Sequence, residues 1–187
     1  MYLNPDRQEF DLATLMSTVP RWGGRTLVPF TVLQHSITCG RLAQSTGRAA
    51  IELLACYLHD VEEGIMGVDI ARPFKTDEQA ALEEAIRRSV YAELKLPYPD
   101  PEMLEFVKNI DDFEALAESE ILLRPMQRIA VLDQHEGDTP DMDDVLGAAE
   151  VVWEVAQLTR NEAVAAFETE VAALRADRSV KTLSQRL

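Results

Sequence analysis

Apolar residues in this chain recur at helical spacing, three and four apart, and sustained apolar–polar alternation is nearly absent, which closes off most folds at the outset. Ile51, Leu54, Ala55 and Leu58 fall at i, i+3, i+4 and i+7, the stripe of a helix turned toward a core. Ala, Leu and Glu dominate, while β-branched and aromatic residues are sparse, so strand patterns are nearly absent. The expected fold is all-α: a compact multi-helix bundle.

Breakers divide the helical pattern. Asp11 is expected to cap a short helix over 12–19, followed by a loop between Pro20 and Pro29 that contains Gly23-Gly24. Helices are predicted over 31–46, with Gly47 as its stop, over 48–59, and from a cap at Asp77 to about Leu94. The segment 64–73 reads as irregular. Pro97, Pro99 and Pro101 form a stiff break before a helix over 102–122. Further helices are expected over 124–134, 141–158 and 161–176, with the last ten residues frayed. No repeat or low-complexity tract interrupts this pattern, so 1–187 reads as one domain.

A chain of 187 residues buries roughly 70% of its unfolded surface and needs neither a disulfide nor a metal merely to fold. Its two cysteines, Cys39 and Cys56, lie in apolar helical runs and make no disulfide framework, which suits a reducing compartment. The net charge of −15 argues against nucleic acid or an anionic membrane as partner. That charge is uneven: residues 1–48 carry net +2, residues 49–174 net −20 and residues 175–187 net +3. An anionic ligand is therefore expected near the N-terminal part. No basic-then-apolar leader and no run of 18 apolar residues is present, so a cytoplasmic protein is expected.

Chemistry should gather at the histidines, of which there are three: His35, His59 and His135. His59 precedes Asp60 at the end of an apolar helix, and His35 lies one turn into the preceding helix. A helix hairpin brings such residues together, and two imidazoles with one or two carboxylates suit a divalent transition metal. A lone histidine on an apolar helix is more often a satisfied core residue, so spacing alone does not decide.

The ordered set Arg21-Trp22-Gly23-Gly24-Arg25-Thr26, Gln34-His35-Ser36, Leu58-His59-Asp60-Val61-Glu62-Glu63, Asp69 and Pro73-Phe74-Lys75 resembles the HD-domain phosphohydrolases. It is most similar to their branch of 5′-deoxynucleotidases and small deoxynucleoside triphosphate hydrolases. The resemblance spans residues 12–123; Val68, between Gly67 and Asp69, is a one-residue departure from the family's pattern.

That resemblance implies one divalent metal ion (Mn, Co, Zn, Ni, Fe or Mg) held by His35, His59, Asp60 and a fourth ligand, a second carboxylate. Asp111, in Val107-Lys108-Asn109-Ile110-Asp111, is one candidate, and Asp133, in Leu132-Asp133-Gln134-His135, is the other. Helical geometry favours Asp111, because Leu104, Lys108, Asp111, Ala115 and Glu118 share a stripe. Asp112 is expected to point elsewhere. Glu63 is the expected general acid/base, one turn beyond His59 if the helix persists.

Lys75, Lys108 and Arg21 are the expected phosphate contacts. The resemblance implies that Arg21 and Trp22 frame a nucleobase and that Asp69 accepts the sugar 3′-hydroxyl. The implied activity is hydrolysis at the α-phosphorus of a 2′-deoxynucleotide, with monophosphate favoured over triphosphate, in a homo-oligomer of two or more copies. A non-catalytic helical module, a cyclic-nucleotide phosphodiesterase and an iron oxygenase are the competing classes. The last two want a dinuclear site, which three histidines supply poorly.

Overall fold

The computed structural model describes residues 8–71, 74–125, 127–128 and 141–184. It is all-α: among these residues no β-strand occurs, and one isolated bridge joins Pro20 to Thr31. The helices are α1 (Gln8–Met16), α2 (Val32–Gln44), α3 (Ala50–Tyr57), α4 (Val61–Met66), α5 (Asp77–Glu93), α6 (Pro101–Leu122), α7 (Met142–Ala156), α8 (Arg160–Arg175) and α9 (Arg178–Ser184). None is long and apolar enough to cross a membrane.

α2 is the axis of the bundle. Val32 through Gly40 are all buried, so this helix has no solvent face over more than two turns, the signature of a helix enclosed by others. It packs on α3, α6, α7 and α8. Its entry is fixed by a capping box, with Thr31 and Gln34 exchanging side-chain and backbone hydrogen bonds. Gln34 also donates to the carbonyls of Val155 (3.1 Å) and Leu158 (3.4 Å), closing the C-terminal end of α7 onto α2. The residue that follows this anchor is His35.

The close approach of α2 and α3 rests on Gly40. A Cβ there would land inside the Tyr57 ring, and Tyr57 cannot yield because its hydroxyl donates to Glu170 and accepts from Gln44. Gly40→Ala is therefore expected to destabilise the protein by about 1–3 kcal/mol, read as a lowered urea midpoint with unchanged m-value.

Several local expectations are corrected. Asp11 lies inside α1 rather than capping it. Thr76, not Asp77, caps α5, since its hydroxyl accepts from the Gln79 amide. The segment expected to be irregular from Gly64 is in part helix α4, and Gly64 serves close packing: a Cβ there would crowd the backbone and side chain of Met16. The helix of His59 does not persist to Glu63. α3 ends at Tyr57, and α4 restarts after Asp60. The tail is not frayed throughout, because Asp177 accepts from Ser179 and Val180 is buried, which holds α9 in place. Val152 and Val155 are buried in the core, while Trp153 is half exposed.

Candidate metal centre and its cavity

Four donor groups meet where α2, the α3–α4 junction and α6 converge. His35 Nε2 lies 3.1 Å from His59 Nε2, 3.4 Å from Asp60 Oδ2 and 3.2 Å from Asp111 Oδ1. His59 Nε2 lies 3.2 Å from Asp60 and 3.7 Å from Asp111. The two histidines are buried, His35 completely. Asp60 occupies the N-cap position of α4, yet its side chain caps nothing. It turns instead to the imidazoles, giving up a cap worth about 1 kcal/mol.

The Nδ1 atoms explain why the Nε2 atoms face one another. His35 Nδ1 lies 2.8 Å from Glu114 Oε2 and 2.9 Å from Glu118 Oε1. His59 Nδ1 donates to the Cys56 carbonyl at 2.8 Å. With both Nδ1 hydrogens so committed, two Nε2 atoms 3.1 Å apart need a proton or a cation between them. A first-row divalent ion bonds such donors at about 2.0–2.2 Å, which puts neighbouring donors roughly 3.0–3.6 Å apart. The observed spacings match, so this donor set fits a metal ion.

The electrostatics say the same. Burial opposes the charge on His59, but Asp60 and Asp111 outweigh it and lift the imidazole to about 10. Against burial, the imidazoles hold the carboxyls of Asp60 and Asp111 well below their ordinary range. The centre thus retains a proton when no ion is bound. His35 is likewise raised against burial, so loading with Zn(II) or Co(II) is expected to release at least one proton near pH 7. Affinity should therefore fall as pH falls, and calorimetry in two buffers of different ionisation enthalpy counts the proton.

The centre opens into a cavity of about 720 Å³. His59, Asp60, Asp111 and Glu63 line one end, with Arg21, Trp22, Asp69, Lys75 and Lys108 around it. Glu63 is 3% exposed, and its Oε2 has no hydrogen-bond partner. Burial first, then Asp60 and Asp69, push its carboxyl up to about 9. Lys75 Nζ stands 3.6 Å from Glu63 and 2.9 Å from Glu83, another buried carboxylate. Glu62 faces away and pairs with Arg87 of α5.

The 20–30 loop forms the opposite wall. Arg21 N donates to the Phe30 carbonyl, and Leu27 N to the last turn of α6 at Leu122. Trp22 has left-handed backbone angles (φ 55°, ψ 28°), which cost a non-glycine residue about 1–3 kcal/mol. Asp69 Oδ2 accepts from the Trp22 amide at 3.3 Å and pairs with Arg21 Nη1 at 3.5 Å. The Trp22 indole N–H donates to Glu118, which also faces Arg21.

Every site residue expected from the sequence thus borders this centre or its cavity, with two refinements. Lys108 is half exposed and already paired with Asp112, one turn on, so Asp112 also faces the cavity. The alternative ligand Asp133, and His135, lie outside the described residues. Sequence reading missed Glu114 as a partner of His35, and gave no role to Cys39, whose Sγ lies 3.8 Å from His35 Nε2, within reach of the same centre. The i+3 step from Asp111 to Glu114 was the available signal for the first, and the i+4 step from His35 for the second. No protein-family model matches the chain, and no curated protein matches it.

Proposed function

We propose that this chain is a metal-dependent phosphohydrolase of the HD-domain type that cleaves 2′-deoxynucleotides at the α-phosphorus, acting as a 5′-deoxynucleotidase on monophosphates. The observation that carries the reading is the pair of buried Nε2 atoms 3.1 Å apart, flanked by Asp60 and Asp111, at the floor of a cavity that also holds Glu63 and Arg21.

His35, His59, Asp60 and Asp111 would hold the ion, which supplies positive charge for a phosphoryl oxygen and a more acidic water. Glu63 is placed for proton transfer. Its carboxyl is buried, raised to about 9 and carries an unpartnered oxygen toward the cavity end, the state of a group that can give a proton to a leaving 5′-oxygen. Lys75 beside it can meet a phosphate oxygen and keep the Glu63 charge tolerable when the proton is away. Asp69 spends one oxygen on the Arg21–Trp22 loop and keeps the other for a sugar hydroxyl. The indole of Trp22 offers a flat face for a base.

Charge favours the monophosphate. Five carboxylates (Asp60, Glu63, Asp69, Asp111, Asp112) and five cations (Arg21, Arg25, Lys75, Arg87, Lys108) line the cavity, and four of those cations are already paired with carboxylates. With four cations so committed, little positive charge beyond one divalent ion is left for a ligand, which suits a monophosphate's two negative charges better than a triphosphate's four. The test is product analysis with the Mn- or Co-loaded protein and each deoxynucleoside mono- and triphosphate. Orthophosphate from monophosphates supports this reading, and inorganic triphosphate would replace it with the triphosphohydrolase alternative.

A further inference from the structure

Glu118 bridges two parts of the site. Its carboxylate is completely buried, and its two oxygens have different partners. Oε1 lies 2.9 Å from His35 Nδ1, on the metal side. Oε2 accepts from the Trp22 indole N–H and faces Arg21 Nη2 at 3.5 Å, on the loop side. Glu114 reaches the same His35 nitrogen at 2.8 Å, and its other oxygen has no hydrogen-bond partner. Trp22 meanwhile sits in a backbone conformation that persists only where its surroundings enforce it, and its side-chain tether is Glu118.

We propose that Glu118 is a positioning residue that makes cation binding at the histidine centre and the seating of the Arg21–Trp22 loop a single linked equilibrium. An ion drawing on His35 Nε2 withdraws electron density from the ring and strengthens the Nδ1–H donor. The Glu118 carboxylate is then held more firmly, and with it the indole and guanidinium on its other oxygen. Linkage is reciprocal, so an anionic ligand that engages Arg21 and Trp22 tightens the ion by the same factor. The inference rests on the metal-centre reading above and is independent of which substrate the cavity takes.

The experiment uses the full chain carrying Trp153→Phe, which leaves Trp22 as the sole indole, since the chain has two tryptophans. Zn(II), which lacks absorption bands that would quench emission, is titrated while calorimetry records binding separately. The expected result is a change in Trp22 emission that saturates with the calorimetric isotherm. In Glu118→Gln, Zn(II) should bind about 10–100-fold more weakly, and the emission change at saturation should be lost. Glu114→Gln should weaken Zn(II) yet keep the emission change.

Zn(II) binding with a silent Trp22 in the parent would overturn the linkage while leaving the metal centre standing. Retention of the response in Glu118→Gln, or its equal loss in both variants, would also overturn it. No calorimetric binding in the parent would remove the centre and the linkage together. Should Glu118→Gln fail to fold, the parent and Glu114→Gln titrations still decide.

Discussion

Glu63→Gln is expected to remove turnover while making the metal-free protein more stable. Loss of a positioned general acid/base costs about 10²–10⁴-fold in rate. The stability gain follows from burial. Glu63 rises to about 9 in the folded chain against an ordinary value of 4.5, so the folded state keeps a proton that the unfolded state sheds. Wild-type stability should therefore decline as pH rises from 4.5 through 9. The glutamine amide carries no charge and escapes that decline. Lys75 at 3.6 Å offsets part of the penalty, so the expected gain near pH 9 is about 1–3 kcal/mol, the cost of a buried polar group left without a partner. Near pH 5 the two proteins should unfold alike. Denaturant midpoints at both pH values check the stability half, and single-turnover rates check the other.

Alanine at either histidine is expected to eliminate cation binding and activity, but with unequal consequences for the fold. His59 is 8% exposed, and its loss takes one partner from Asp60 and Asp111, both of which keep His35, so His59→Ala should fold with a moderate loss. His35 is 0% exposed and stands against Glu114 and Glu118, both also fully buried. Removing it takes the imidazole from both buried acids and leaves Glu118 with Arg21 and Trp22 alone, a change that typically costs about 3–5 kcal/mol. Calorimetry with Zn(II) should find no binding in either variant, whereas thermal unfolding should separate them, with His35→Ala much the lower. Equal melting temperatures would contradict the role given to the carboxylate pair behind His35.

The all-α fold was legible because spacing of apolar residues is a property of each segment alone. Helix boundaries slipped where chain-distant contacts intervened. Gly64 reads as a breaker from its neighbours, but Met16 packs against it across the bundle and α4 runs through it. Val180 belongs to a tail with no obvious reason to be ordered, and the core accepts it.

The site divides in the same way. His35, His59, Asp60, Asp111 and Glu63 sit in local patterns whose residue types suit the chemistry, and the structure gathers them. The groups behind them are connected only in three dimensions. Glu118 lies 83 residues from His35 and 96 from Trp22; the stripe it shares with Asp111 marks its face, but its partners emerge only when those helices pack. Glu83 and Lys75, and Glu62 and Arg87, are likewise pairs that nothing but packing reveals.

The central claim is a cation-dependent hydrolysis at the α-phosphorus, and one measurement addresses it directly. The protein is stripped with chelator, reloaded with Mn(II) or Co(II), and incubated with deoxynucleoside 5′-monophosphates beside an Asp60→Asn variant. Deoxynucleoside and orthophosphate should appear in equal amounts from the loaded wild type, and neither from the stripped protein nor from the variant. Absence of turnover with every metal, or identical turnover by Asp60→Asn, would contradict the account and leave a helical binding module in its place.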